Sequence, residues 1–355
     1  MGSPKSQTLL ESLRGVGQIR PTIDEFAAAR IRAELEEAVG AWPRWPDGGS
    51  PLRVTKTRLR QVLTCERHLV ACLDASDPPT SALVAGRLAD LLFGLVAVGH
   101  PLRSVTTASP LGPVTVGTPG WDLVTYALAA ATAAGQERLG FDWAGLSSEQ
   151  QAEAASIVES CRGALEAWPV LPSSALVRLQ EPLRAELSGG HVVLTGRVDL
   201  VLGRATPLVA GAGVAGAGLA GAGLAGAGVA GATLVDVKSG RRRQEDRADA
   251  GWYAVLETLR HRAPPFQVGT YYLRDGELEL DVVTAELMAQ ASARIAQGLA
   301  SLARLAHGGV AHANPNPLCP WCPAIASCVP GRRFSFERGD LIGPVDLEDK
   351  EPDAR

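Results

Sequence analysis

Three acidic and basic side chains carry the clearest chemical signal in the chain. In Thr233-Leu234-Val235-Asp236-Val237-Lys238-Ser239-Gly240, an alternating strand pattern runs into a Ser-Gly turn. Asp236 and Lys238 are two apart, so both project from one face of the strand. An acid that can hold a cation, beside an ammonium placed for a phosphate oxygen or an attacking water, suits metal-assisted hydrolysis. A second acid, Asp199, follows Gly196-Arg197-Val198 on an earlier strand. Two carboxylates about 4 Å apart repel by roughly 4 kcal/mol at an effective dielectric near 20, so gathering them calls for a cation between them. A divalent ion there would polarise a scissile phosphate and lower the pKa of a bound water. A separate set of thiols, Cys319, Cys322 and Cys328, has C-x2-C-x5-C spacing and supplies three ligands for a soft metal centre. Cys65 is the best fourth ligand. Cys72, two helical turns further on, is the reserve.

The elements that must place these groups can be read from periodicity. Thr22-Ile23-Asp24-Glu25 reads as a capping box opening a helix that Gly40 ends. A second helix spans 55–73 with Cys65 on it. Ser81–Val98 is an apolar helix carrying Gly86, Arg87 and Asp90, and further helices fall near 121–134 and 147–168. Cys161 lies on the apolar stripe of the last of these and reads as core. From 174 the pattern turns to strands: Ala175–Leu187 with Glu181, His191–Leu202 with Asp199, then Thr233–Lys238. Between the last two lies a Gly/Ala repeat of 24 residues, Val209–Ala232, read as a low-complexity insertion in a hairpin loop. Without that repeat only 13 positions separate Asp199 from Asp236, a spacing that lets neighbouring strands bring them together. Asp246–Arg262 is a helix with Asp249 and Tyr253 one turn apart. Val268–Leu273 and Glu277–Val283 form a hairpin about Asp275-Gly276, and Thr284–His307 is a long helix.

With 355 residues and 46% hydrophobic residues, the chain can bury a large core. The net charge of −4 hides local structure, because the tail Glu337–Arg355 holds seven acids and three bases. Bases cluster at 53–67, at Arg241-Arg242-Arg243 and at Arg332-Arg333, and clustering rather than net charge makes an anion-binding footprint. No charged-then-apolar leader is present, which predicts a cytoplasmic protein, and the repeat is too weakly apolar to predict a membrane span. No Walker A sequence occurs, so any motor would be another chain.

The order Gly196-Arg197-Val198-Asp199, then Asp236-Val237-Lys238-Ser239-Gly240, then a helix bearing Asp249 and Tyr253, resembles the PD-(D/E)XK nucleases of the RecB type. The likeness covers roughly residues 55–330. It implies a restriction-endonuclease-like α/β core: a central mixed sheet flanked by helices, with an N-terminal helical region and a C-terminal iron–sulfur clasp. The implied segments are 1–50, an N-terminal helical extension; 51–173, a helical region; 174–310, the nuclease core; 311–335, the cysteine clasp; and 336–355, the acidic tail. Asp199, Asp236 and Lys238 become the catalytic set. Asp90, Asp199, Asp236 and the Val237 position become holders of Mg²⁺ or Mn²⁺, with Asp90 where many members have a histidine. Asp249 and Tyr253 fall where the family has glutamine-x-x-x-tyrosine, and with Arg241, Arg242 and Arg243 they are assigned to DNA. One remote and three clustered cysteines resemble the iron–sulfur members, the CRISPR-associated four-cysteine nucleases and the AddB subunit. This implies a [4Fe–4S] cluster on Cys65, Cys319, Cys322 and Cys328, with structural Zn²⁺ the alternative. The clasp would hold the N-terminal helices on the nuclease core. The implied activity is exonucleolytic cleavage of DNA ends or single strands with little sequence specificity, in repair, recombination or foreign-DNA processing. A helicase, recombination or CRISPR protein is the implied partner. The competing expectation is a non-catalytic DNA-binding or scaffold protein that keeps the fold.

Overall fold

The computed structural model describes residues 4–15, 26–40, 51–73, 79–100, 102, 119–172, 175–203 and 232–339. The capping box at Thr22–Glu25, the repeat up to Gly231 and the tail from Asp340 lie outside the described residues. In chain order the elements are α1 (Pro4–Leu13), α2 (Ala27–Val39), β1 (Leu52–Thr55), α3 (Lys56–Thr64), α4 (Glu66–Ala71), α5 (Ser81–Ala97), α6 (Trp121–Ala133), α7 (Glu137–Ala144), α8 (Ser148–Ser160), α9 (Arg162–Ala167), β2 (Val177–Leu187), β3 (Val192–Leu202), β4 (Thr233–Lys238), α10 (Asp246–His261), β5 (Gln267–Tyr272), β6 (Glu277–Val282), α11 (Ala285–Ala306) and α12 (Val329–Glu337). None of the described helices is long and apolar enough to cross a membrane.

The chain is α/β, with a mixed six-stranded sheet ordered β1-β3-β4-β5-β6 and β2 also paired to β3. The β1/β3 and β4/β5 pairs are parallel, and the β3/β4 and β5/β6 pairs antiparallel. The β3/β4 pairing is the hairpin partnership expected across the repeat. Parallel β4 and β5 need a crossover, and α10 supplies it. Local signals set several boundaries. Ser147 and Gln150 close a reciprocal capping box on α8, while Thr55 and Thr80 cap α3 and α5 through their hydroxyls.

The described chain divides into two compact units that are not contiguous blocks of sequence. The first comprises Met1–Ile31, Pro78–Arg184 and Gly196–Ala291, the second Arg32–Asp77, Ala185–Thr195 and Ser292–Arg355. Within the first unit, α5, α6, α8 and α9 pack an apolar core on one face of the sheet. Leu88, Leu92, Phe93, Leu123, Val158 and Leu165 meet Leu200, Val235, Val237 and Tyr271 there. Trp168 stacks edge-on against Phe93 with ring centroids 4.7 Å apart. Cys161 is fully buried in this core and burial pushes its thiol up to about 11, as suits the inert core position expected for it. The opposite face carries α10, which is buried along most of its length. Within the second unit, β1 pairs with Val192–Thr195, and Glu34 accepts a hydrogen bond from Ser292 at 2.7 Å.

Candidate functional site

The ladder between β3 and β4 runs from Leu202↔Thr233 to Leu200↔Val235. The regular ladder ends there, and just beyond it a carboxylate takes its place: Asp199 Oδ2 accepts the Val237 N–H at 2.7 Å. Gly196 shows why the strand changes character. A Cβ there would lie 3.1 Å from Trp252, Tyr253 and Leu256 of α10. Leu200, four residues on, belongs to the core on the other face. A regular strand would put both on one side, so β3 breaks its alternation between them, and Asp199 sits in that stretch. The glycine lets α10 ride against the strand and delivers Tyr253 to the acids.

Asp236 is buried, and Lys238 Nζ lies 2.6 Å from its Oδ2. From α10, Asp249 reaches to 3.9 Å from the same ammonium, and Tyr253 donates its hydroxyl to Asp236. Burial first, then the charges of Asp236 and Asp199, push the Tyr253 phenol well above its ordinary value, so it stays a donor. Asp249 and Tyr253 thus face the Asp236–Lys238 pair and are both buried, not presented to solvent. Among the arginines assigned to DNA, Arg242 is bound to Glu277 at 2.5 Å and Glu279 at 3.0 Å and lies over the Tyr272 ring. Arg241 and Arg243 are exposed, on a turn pinned where Asp246 accepts the Arg243 N–H and the Tyr272 hydroxyl.

Burial, followed by the charge of Asp236, raises the Asp199 carboxyl to about 6, against the opposing effects of the Val237 N–H, Gln180 and Lys238. Between the ordinary carboxylate range and about 6, the folded metal-free protein therefore holds a proton that the unfolded chain has released. Asp199 thus costs stability as pH rises through that window, and the full cost is present above about 6. Asp199→Asn is expected to raise the thermal midpoint in chelator at pH 7.5 by several degrees, with the gain vanishing near pH 4. Its amide keeps the Val237 bond and can pair with a turned Gln180. A lower midpoint at pH 7.5 would contradict the strain assigned to this acid.

A cleft of about 720 Å³ opens beside Asp199, and Asp90 of α5 lines it with Gln180 and Arg197. The helix carrying Asp90 passes close to the turn after Lys238, since a Cβ on Gly86 would lie 3.5 Å from Ser239 Oγ. The structure thus brings Asp90 to the cavity that Asp199 lines. Oxygen donors of this kind suit Mg²⁺ or Mn²⁺. Among the described residues no three such side chains are closed around a single point, and the ammonium of Lys238 rests on Asp236. Val237 contributes its N–H to Asp199, while its side chain belongs to the apolar core.

The cysteine site is built wholly within the second unit, so its clasp joins Arg32–Asp77 to Ser292–Arg355 of that same unit. Cys65, Cys319, Cys322 and Cys328 line one small cavity. Cys65 is not inside a helix as its periodicity suggested. It is extended (φ −165°, ψ 116°), ends α3 and begins α4. The break is fixed from outside: Asn314 donates its side-chain amide to the Thr64 carbonyl at 2.9 Å and its N–H to Cys65 Sγ at 3.5 Å. The Asn316 N–H likewise points at Cys319 Sγ at 3.3 Å. A Cβ on Gly331 would stand 3.2 Å from Cys328 Sγ and 3.5 Å from Cys319 Sγ, so a side chain there would crowd the Cys328 sulfur. Burial raises the Cys322 thiol, and Cys65, Cys328 and Cys72 add to the effect. Four soft donors about one cavity, with main-chain N–H groups aimed at two of them, fit a thiolate-held iron–sulfur cluster or zinc. Cys72 caps α4 and faces His68, with Sγ 3.7 Å from Nε2. The helix break at Cys65 removes the two-turn helical spacing between them, yet Cys72 still lies near enough to add to the rise at Cys322.

Sequence reasoning passed over the residues that brace both sites. Gln180 donates to Asp199 Oδ1 at 2.9 Å and has a φ of +49°, a left-handed conformation that glutamine rarely adopts. The one available signal was Pro182, which marks an irregular strand. Glu181, beside it, is taken up by Arg178 and Arg260. In the second unit, buried Glu66 is ion-paired with Arg304 and accepts the His312 N–H at 2.8 Å, while Arg304 donates to the Val310 carbonyl at 2.6 Å. Burial alone would raise the Glu66 carboxyl, but Arg304, the His312 N–H and Ser301 outweigh it and hold it below the usual range. This pair pins the 310–316 segment, and with it the N–H groups of Asn314 and Asn316, against the Cys65 break. Glu66→Gln is expected to lower stability by about 2 kcal/mol, less than a fully buried pair because Arg304 is partly exposed. The wild-type advantage should fade as pH falls below the ordinary glutamate range, where the carboxylate is protonated. Paired urea titrations at pH 7.5 and well below pH 4 measure both effects.

No protein-family model matches the chain, and no curated protein is detectably similar to it.

Proposed function

We propose that the chain is a divalent-metal-dependent phosphodiester hydrolase of the PD-(D/E)XK type that cleaves DNA at ends or in single strands. One observation carries the reading: the Asp199 carboxylate reaches the main chain of Val237, between buried Asp236 and Lys238, whose ammonium rests on Asp236. Asp90, Asp199, Asp236 and the Val237 main chain would hold Mg²⁺ or Mn²⁺, which when bound supplies Lewis acidity toward the phosphodiester. Lys238 then orients the attacking water or meets the charge that builds on the phosphorus oxygens. Tyr253, held protonated, fixes the Asp236 carboxylate. Gln180 and the Val237 N–H fix Asp199. The restriction-endonuclease-like assignment of the sheet belongs to this proposal, as does a [4Fe–4S] cluster on Cys65, Cys319, Cys322 and Cys328, with zinc the alternative. That centre has a structural role, holding two distant parts of the second unit together. A helicase, recombination or CRISPR protein remains the proposed partner class.

The test is incubation of purified protein with end-labelled single-stranded and duplex DNA in Mg²⁺ or Mn²⁺, with and without chelator. Chelator-sensitive loss of label, with a product ladder from open but not end-blocked substrates, is expected. A second reading, a non-catalytic DNA-binding protein, draws on the ammonium of Lys238 lying between Asp236 and Asp249, which already offsets the clustered acids. DNA binding without cleavage under every metal condition would favour it.

A further inference from the structure

Three arginines line the cleft beside Asp199, and their commitments differ. Arg87 is ion-paired with Asp142, and Arg138 Nε lies 3.9 Å from the same carboxylate. Arg197, two residues before Asp199 on β3, is exposed and has no hydrogen bond or ion pair among the described residues. The cleft also has an aliphatic wall of Leu91, Leu95 and Leu179. Gly94 sits at its closest approach, where a Cβ would stand 3.7 Å from Leu179 Cδ1. A guanidinium uncommitted among the described residues, paired with an apolar wall, matches a ligand with an anionic oxygen cluster and an attached flat, weakly polar group. A nucleotide unit of a single strand has that chemistry, and guanidinium geometry suits phosphate oxygens.

Resting on the reading of Asp199, Asp236 and Lys238 as a phosphodiesterase site, we propose that Arg197 binds a backbone phosphate of the substrate strand next to the linkage being cleaved, with the leucine wall taking the attached sugar and base. Arg197 is then a substrate-binding residue that acts on affinity and register, with no part in the bond-making step. Because the contact is made to phosphate, it adds no base preference.

Binding of a fluorescein-labelled single-stranded oligonucleotide, with Ca²⁺ in place of Mg²⁺, is measured across a salt series for the wild type, Arg197→Ala and Arg197→Lys. Arg197→Ala is expected to weaken binding about tenfold at low salt and to flatten the log–log salt slope by about 0.7, the contribution of one single-strand phosphate contact. Arg197→Lys should restore the slope. In steady-state hydrolysis, KM rises with little change in kcat, and the melting curve stays that of the wild type. An oligonucleotide made abasic throughout should lose affinity for the wild type through the wall. Equal affinity and slope for Arg197→Ala, in a wild type that cleaves DNA, overturns the assignment of Arg197 alone. Equal affinity for abasic and ordinary strands removes the wall from it. A wild type that neither binds nor cleaves overturns the phosphodiesterase reading as well.

Discussion

Lys238→Ala is expected to slow Mn²⁺-dependent DNA hydrolysis by about 10²–10³, the usual loss when one preorganised charge-stabilising donor is removed. The geometry also predicts a second effect of opposite sense. The ammonium is 2.6 Å from Asp236 and 3.9 Å from Asp249, and the charge of Asp236 also acts on Asp199, so without it these acids repel one another in the metal-free protein. Each close pair then costs on the order of 4 kcal/mol before relaxation, and a divalent cation relieves it. The variant should therefore melt lower than the wild type in chelator, and Mg²⁺ or Mn²⁺ should stabilise it more than the wild type. A structural lysine would give the first melting shift without the loss of rate. Undiminished hydrolysis by the variant at saturating metal would remove Lys238 from the chemistry.

Substituting any of Cys65, Cys319, Cys322 or Cys328 with serine is expected to abolish metal retention and to cost several kcal/mol. At about 2–4 °C per kcal/mol this is a fall of roughly 10 °C or more in the thermal midpoint. The size follows from position: Cys65 and the later three cysteines belong to sequence-distant parts of the second unit, so the proposed centre would close a very long loop. Cys161→Ser is the control, since that thiol is core and should lose stability without changing metal content. Cys72→Ser should also keep the metal. Metal analysis with absorbance in the thiolate-to-iron region decides between iron–sulfur and zinc. Unchanged metal content in Cys65→Ser would show that the remote cysteine is no ligand.

What could be read from the sequence depended on how local its cause was. The pairing of β3 with β4, which carry Asp199, Asp236 and Lys238, was legible because removing a biased repeat leaves a hairpin-sized spacing, whereas the break in alternation near Asp199 was not. The Asp249–Tyr253 stripe was legible as one helical face, but not its inward direction, which is set by the close approach that Gly196 allows. Arg242 read as a free basic group because its partners Glu277 and Glu279 lie on a strand beyond the next crossover. β1 has four residues and one fully buried side chain, Val54, too short a pattern to register. The helix pairs α3–α4 and α8–α9 each read as one helix, since a break imposed by tertiary hydrogen bonds, as at Cys65, leaves no mark on apolar periodicity. α7 and α12 escaped notice beside a Gly and within a Pro/Cys-rich stretch. Gln180 and Glu66 act through distant partners and carried no motif.

The direction in which the β3–β4 ladder runs has an evolutionary consequence. Its loop end is Leu202↔Thr233, and the acids lie at the far end, beyond Leu200↔Val235. Three paired rungs thus insulate the carboxylates from whatever joins the strands. Doubling the length of a flexible joiner costs only about 0.6 kcal/mol. Mutation can therefore stretch, trim or replace that connection with foreign sequence while selection on the acids never sees it.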